Sequence, residues 1–404
     1  MRDLEVFLES KGAEYASFDP TRAPKLLAKL GLKFSKNQSI IQIIGTNGKG
    51  STGRFLALML KTLGVKVGHF TSPHLLHLRE RFWINGANIS DSALNAAFLE
   101  LNSEVLKEAS YFEVLTFLTF RVFKDCEVVI LEAGLGGEYD STTTCIKADI
   151  TLFTSIGIDH QEYLGNTLER IATTKINAIA KHAILGLQSD DCVEYIAKGI
   201  AKTKGAYLEI LREIPQEIQN YIAQNYASYQ GKNLSLAWAG LLMLNKIRAL
   251  PNFALLGVDL DSTLSTLLSN LPKLDLQGRM QKLAHNIYLD VAHNVDGAKA
   301  LIESLKIINF IKYKYILIYN SYFDKNPKAI LTILKPIVAQ VQILPLQNKR
   351  VIAKSILENI LQELDIAYCD FSGIREDRQY LVCGSFSVVG KFLELYKNGI
   401  ENEK

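Results

Sequence analysis

The chain has 404 residues, 48% hydrophobic and 22% charged, with a formal net charge of +3. That length exceeds one ordinary domain, so two or three packed domains are expected, and the composition excludes a disordered chain. The small net charge, with Lys and Arg scattered rather than striped, gives no ground to expect nucleic acid.

The first residues, MRDLEVFLESKGAEYASFDP, carry acids early and lack a long apolar core, so no signal peptide is expected. Ser39–Ile44 reads as a strand buried on both faces, because it is almost continuously apolar. A glycine-rich turn follows, and Gly53–Thr62 and Ala93–Lys107 read as helices. Glu127–Leu131 and Asp149–Thr154 read as further buried strands, and the alternation argues for an α/β fold with a mostly parallel sheet. After Leu271-Pro272 a second series begins, with strands expected at Asn286–Val291, Tyr315–Tyr319, Val341–Leu344 and Tyr380–Val382. The boundary is placed near residues 271–278, giving units 1–275 and 276–404. Cys126, Cys145, Cys192, Cys369 and Cys383 form no CxxC pair, which argues against a zinc knuckle or disulfide framework and for a reducing compartment. No apolar run reaches the roughly eighteen residues of a membrane span. A cytoplasmic protein is the expectation.

The turn after the first strand is Gly45-Thr46-Asn47-Gly48-Lys49-Gly50-Ser51-Thr52. Glycines let backbone N–H groups curl around phosphate oxygens, and the following helix N-terminus adds partial positive charge. Lys49 is suited to the β- and γ-phosphates. Gly50 separates Lys49 from the hydroxyls, and Ile43 stands where the usual phosphate-loop spacing has glycine. A dinucleotide-dependent dehydrogenase is disfavoured, since the GxGxxG order is missing and such enzymes need no lysine here.

GTNGKGST is the form of phosphate loop found in the Mur ligase superfamily. Further stretches resemble its dihydrofolate synthase/folylpolyglutamate synthase branch. Thr71-Ser72-Pro73-His74-Leu75, Glu80-Arg81 and Ile84-Asn85-Gly86 are similar to the family's TSPHL, ER and ING. Phe112–Thr116 resembles FEVLT, Leu131–Gly137 resembles LEVGLGG, and Asp159-His160 with Leu164-Gly165 resembles DHxxxLG. Gly278-Arg279, Leu289–Asn294 and Val382–Ser385 are similar to PGR, LDxAHN and VCGS. The matches run in family order from about Phe18 to Gly390.

The resemblance implies an N-terminal phosphate-loop ATPase domain and a smaller Rossmann-like C-terminal domain. The implied reaction activates a carboxylate as an acyl phosphate with ATP, which the amine of L-glutamate then attacks. The acceptor would be dihydropteroate or a reduced folate, with magnesium (two ions) and no nucleic acid, membrane or second subunit. By resemblance Ser72, Glu132 and His160 are magnesium ligands, and Lys175 is the lysine that becomes carbamylated and helps hold a second ion. Asn233 contacts adenine, while Arg279, Asp290 and His293 close over the nucleotide, Arg279 on the γ-phosphate and Asp290 on ribose. Lys49, Lys175 and His293 are the expected catalytic residues. Phe18, Asp19, Pro20, the stretch from Ala109 through Tyr111 and Phe112, and Tyr139, Asp140 and Ser141 are expected around the pteroate.

The chain departs from the family in places. Glu138 stands for an arginine in GGRLDATN, ATTKINAI (172–179) for the usual EKAGI, and Val295 for a frequent proline. These departures leave a non-catalytic nucleotide-binding protein as one alternative, and a cell-wall Mur ligase as another. TSPHL and FEVLT weigh against the latter, and retention of the charged site residues against the former.

Overall fold

The computed structural model describes residues 3–12, 19–255, 257, 259–307 and 314–399. Two sheets organise it. The first has eight strands: β1 (Ser39–Ile44), β2 (Val67–Phe70), β3 (Phe82–Ile84), β4 (Ala87–Asn88), β5 (Val128–Glu132), β6 (Ile150–Phe153), β7 (His182–Leu185) and β8 (Tyr207–Ile210). Their order is β4-β3-β2-β5-β1-β6-β7-β8, parallel except at the β2–β3 and β3–β4 pairings. The second sheet contains β9 (Gln281–Ala284), β10 (Ile287–Leu289), β11 (Tyr315–Tyr319), β12 (Val338–Ile343), β13 (Tyr368–Asp370) and β14 (Tyr380–Cys383). Its order is β13-β12-β11-β14-β10-β9, with only β9 antiparallel.

Alternation along the central strands builds a core on each face of the first sheet. Ile41 and Ile43 of β1, and Val128 and Ile130 of β5, pack with the helices Lys49–Thr62 and Gln230–Ile247. Ile40, Val129 and Leu131 point the other way, onto the helix Tyr111–Val122. Both faces are covered, which is why these strands read as unbroken apolar runs.

Several boundaries differ from expectation. The helix expected at Gly53–Thr62 starts at Lys49, because Gly48 (φ 87°) turns the chain in the left-handed region and the helix begins at once. Ala93–Lys107 is two helices, Asp91–Leu99 and Ser103–Lys107, since Asn102 caps the second by accepting from Glu104 N. The strand expected at Glu127–Leu131 is shifted by one residue, so that Glu132 is its last member. Asp149–Thr154 contracts to β6, Asn286–Val291 contracts to β10, Val341–Leu344 moves to β12, and Tyr380–Val382 extends by Cys383. The segment 271–278 lies between the two sheets.

A buried cluster fastens that segment to the phosphate-loop helix. Arg54, 1% exposed, lies 4.8 Å from the Trp83 ring and donates from Nε to His69 Nδ1 at 3.2 Å. Its guanidinium also pairs with Asp275, which accepts from Trp83 Nε1 at 2.9 Å.

Candidate active site

In open α/β sheets, ligands bind beyond the C-terminal strand ends where strand order reverses. Here β1 sits between β5 and β6, so both of its neighbours come later in the chain. The loop after β1 therefore opens beside Glu132 at the end of β5 and the segment 154–160 after β6.

Loop and neighbours are closely fitted. A Cβ at Gly45 would sit 1.8 Å from Thr154 Oγ1, and one at Gly48 would sit 2.1 Å from Asn233 Oδ1. Thr46 N donates to Ser155 O at 2.8 Å, and Thr46 Oγ1 exchanges hydrogen bonds with Gly157 O and N. Ser51 accepts from Gln230 Nε2 at 3.3 Å, while Gly50 and Thr52 lie in the first helical turns. Lys49 Nζ donates to Gly45 O and Thr46 O at 3.3 and 3.2 Å and lies 3.9 Å from Glu132 Oε1. Asn233, in the first turn of its helix, donates to Gln230 Oε1 at 2.8 Å.

Glu132 is 3% exposed; its Oε2 accepts from Thr71 Oγ1 and from Ser72 N at 3.2 Å. Burial pushes its carboxyl up, and the Lys49 ammonium opposes that shift. His160 caps a short helix at φ 52°, and burial pushes its imidazole down to about 3, leaving it neutral and able to offer a lone pair. Among the described residues no group of three His, Cys, Asp or Glu is arranged to hold a metal. The Ser72 hydroxyl and Glu132 carboxylate, joined by the Ser72 N–H, offer oxygens of the kind magnesium takes, with water and phosphate able to fill its other positions. Lys175 is 3% exposed, with Nζ donating to Gly45 O at 3.0 Å. Burial, then the Lys49 charge, pushes its amine down to about 7.

The second sheet closes against this edge with its own C-terminal strand ends. Asp159 is the meeting point. Its carboxylate pairs with Lys325, accepts from Asn294 Nδ2 at 3.2 Å and lies 3.3 Å from His293 Nε2. These partners hold its carboxyl well below the usual range despite burial. Burial lowers the His293 imidazole, and the Asp159 carboxylate opposes that shift. Asn47 and Asn294 exchange two amide hydrogen bonds, at 3.0 and 3.1 Å. Arg279 lies 5.1 Å from the Phe386 ring, and the His293 ring lies 6.0 Å from it. Asp290 is committed within the protein: it accepts from Tyr229 OH, Met280 N and Ala292 N at 2.7, 2.8 and 3.0 Å.

An open cleft is lined by Asp19, Pro20, Phe112, Tyr139, Asp140 and Ser141, all expected substrate residues. Phe18 lies outside the described residues. Tyr111 is not part of the lining; its ring lies 5.6 Å from the Arg81 guanidinium. Glu138 is also absent from the lining and accepts from Asn177 Nδ2 at 2.9 Å. Asp140 is saturated by Gly134 N, Leu135 N and both donors of Thr142, so it shapes the loop beside the cleft.

Sequence reading missed three groups here. Arg22 lines the cleft and pairs with Glu113 at 2.8 Å, and Glu113 also closes the capping box with Ser110. Lys325 follows β11 in a loop, and its position beyond a parallel strand end was the available signal. Asn294 stood inside a quoted motif without a role.

Residues 43–238 match the Mur ligase middle domain model. A Bacillus subtilis protein named dihydrofolate synthase/folylpolyglutamate synthase is 30% identical over 340 residues, 75% of each chain. The crystal structure of Helicobacter pylori folylpolyglutamate synthetase is 37% identical, covers 99% of both chains and superposes with a TM-score of 0.77. The Escherichia coli FolC structure in complex with DHPP and ADP is 26% identical, with a TM-score of 0.76 over 97% of this chain and 96% of that one. A two-sheet Mur-ligase fold, a phosphate loop at the strand-order reversal and near full-length similarity together place this chain in the dihydrofolate synthase/folylpolyglutamate synthase family.

Proposed function

We propose that the chain is an ATP-dependent ligase that joins L-glutamate to dihydropteroate and to reduced folates through an acyl phosphate. One observation carries the reading. Lys49, beside Glu132, and Lys175, on Gly45 O, sit at the phosphate loop of the first sheet, and Asp159 after β6 of the same sheet meets His293 and Lys325 of the second. Residues 1–275 act as the nucleotide half and 276–404 as the glutamate-ligase half.

The pterin enters the cleft between Phe112, Tyr139 and the Arg22–Glu113 pair, where aromatic faces and a half-buried ion pair suit a flat polar ring. Its benzoyl carboxylate then points toward Glu132 and Lys49. That carboxylate oxygen attacks the γ-phosphorus, the bond to ADP breaks, and the acyl phosphate forms. Catalysis rests on positioning and charge, because phosphoryl transfer asks little covalent chemistry of the protein. Lys49 leaves the loop carbonyls it now contacts and takes the phosphates, while Arg279 meets the charge developing on the transferred group. Asn233, packed on Gly48, is placed for adenine, and Asp290 with its Tyr229 bond for the ribose side. The α-amine of glutamate attacks the acyl carbon, phosphate leaves with its oxygen, and the amine proton passes to a base, for which neutral His293 is suited.

Ser72, Glu132 and His160 would hold magnesium, with a second ion at carbamylated Lys175, and these ions supply charge neutralisation at the triphosphate. Carbamylation needs a neutral amine: Nζ bonds to the carbon of CO2, a C=O electron pair moves to oxygen, and a proton leaves to water. An amine lowered to about 7 meets that requirement near neutrality. Among the described residues no helix is long and apolar enough to cross a membrane, and all five thiols are free. Free thiols suit the reducing cytoplasm.

The test is ADP release with ATP, magnesium and glutamate, adding dihydropteroate or tetrahydrofolate separately. Release that needs glutamate and dihydropteroate together is expected, with a further response to tetrahydrofolate. Protein that binds ATP yet releases no ADP with either acceptor would overturn the proposal.

A further inference from the structure

Two departures from the family pattern meet in space. Glu138 stands where arginine is usual, and Asn177 lies in the stretch that replaces EKAGI. Glu138 Oε2 accepts from Asn177 Nδ2 at 2.9 Å. We infer that Glu138, acting through Asn177, is a positioning residue that sets where Lys175 sits against the phosphate loop. The inference rests on the role of Lys175 given above.

The argument follows the backbone. Lys175 is in the last turn of the helix Leu168–Ile176, and Asn177 is its C-cap, with helical φ of −58° and its N–H on Thr173 O and Lys175 O. The loop 133–140, which continues β5 beyond Glu132, lies directly on this helix end. Glu138 N donates to Thr174 O at 3.0 Å, and a Cβ at Gly137 would sit 2.8 Å from Lys175 Cα and 2.7 Å from Lys175 O. The loop is stiffened by Asp140, whose Oδ2 holds Gly134 N and Leu135 N at 2.9 Å each. Glu138 adds the side-chain tie between this stiff loop and the helix terminus. One end of the loop carries Glu132 and the other lines the cleft, so the tie registers Lys175 against both. Lys204 Nζ also lies on Asn177 O. An arginine at 138 would therefore bring a cation toward Lys204, whereas Glu138 brings an anion. The two departures compensate each other.

An ordinary surface hydrogen bond would stabilise the fold slightly and do nothing to Lys175 chemistry. The experiment separates these roles. Glu138→Ala, Asn177→Ala, their double variant and Glu138→Gln are compared with the parent protein in 13C-bicarbonate, reading the lysine carbamate by carbon NMR and the melting temperature in parallel. Alanine fits the helical φ of Asn177, so folding is preserved. Each alanine variant is expected to need about tenfold more bicarbonate for the same carbamate signal. The double variant should need no more than either single one, because both remove the same link. Glu138→Gln keeps an acceptor oxygen and should restore the signal. Parent-level carbamate in the single variants, or effects that multiply in the double variant, overturns the inference while leaving the Lys175 reading intact. A parent protein that never forms the carbamate overturns the Lys175 reading, and the inference with it.

Discussion

Lys325→Met strands a carboxylate that the fold has buried between its two sheets. The Asp159 and Lys325 side chains are each 6% exposed, so solvent screens their attraction little. Deleting one partner of a buried pair costs about 3–5 kcal/mol, because the surviving charge stays desolvated. Asp159 keeps Asn294 at 3.2 Å and His293 at 3.3 Å, which places the expected loss near the lower end, about 3 kcal/mol. Urea unfolding of the parent, Lys325→Met, Asp159→Asn and the double variant measures both the loss and its coupling. The double variant, with neither charge buried, should be more stable than the two single losses summed would allow, by at least about 1.5 kcal/mol. A Lys325→Met loss below about 1 kcal/mol, or losses that add within about 0.5 kcal/mol, would refute the reasoning.

Lys175→Met should abolish ligase activity yet raise the melting temperature at pH 6.5 in CO2-free buffer. A buried amine lowered from 10.5 to about 7 opposes folding fully below pH 7, and that penalty fades as pH rises from 7 toward 10.5. The gain should therefore vanish by pH 10.5; an equal gain at both pH values would contradict the assigned shift. Gly134→Ala places a Cβ 2.6 Å from the Phe112 ring and should raise KM for the pteroate substrate while leaving KM for ATP unchanged, as steady-state kinetics would show. Asp275→Ala leaves the Arg54 guanidinium, 1% exposed, without its carboxylate; because Asp275 is 44% exposed, the loss is discounted to roughly 2 kcal/mol. Trp83→Phe removes the donor to Asp275 and also shrinks a fully buried ring that lies 4.8 Å from Arg54, so it should cost about 3 kcal/mol, and denaturation that makes it the milder of the two variants would count against the cluster as drawn.

The parts of this molecule legible in its sequence are those where one physical requirement acts over a short stretch. A strand buried on both faces must be largely apolar, which exposes β1, and a turn that wraps phosphate needs glycines where neighbours approach closely, which exposes Gly45 and Gly48. Glu132 was recognisable because it ends such a strand beside glycines, although the strand was drawn one residue early. Groups whose partner is distant in the chain gave no such signal. Lys325 meets Asp159 across 166 residues, and Arg22 meets Glu113 across 91. Arg54 is buried in the phosphate-loop helix and is explained only by His69, Trp83 and Asp275, which fold back onto it. Lys175 is legible only through the family resemblance, because helical position alone does not reveal that a glycine loop covers it. The break at Asn102 was hidden because capping asparagines and helix-interior residues alternate there without proline or glycine.

The most direct test of the acyl-phosphate claim uses dihydropteroate labelled with 18O in its carboxylate. After turnover with ATP, magnesium and glutamate, the account predicts one 18O atom per molecule of released phosphate, because the carboxylate oxygen bonds to the γ-phosphorus and leaves with it. Phosphate free of label, at a matching yield of glutamylated product, would contradict it.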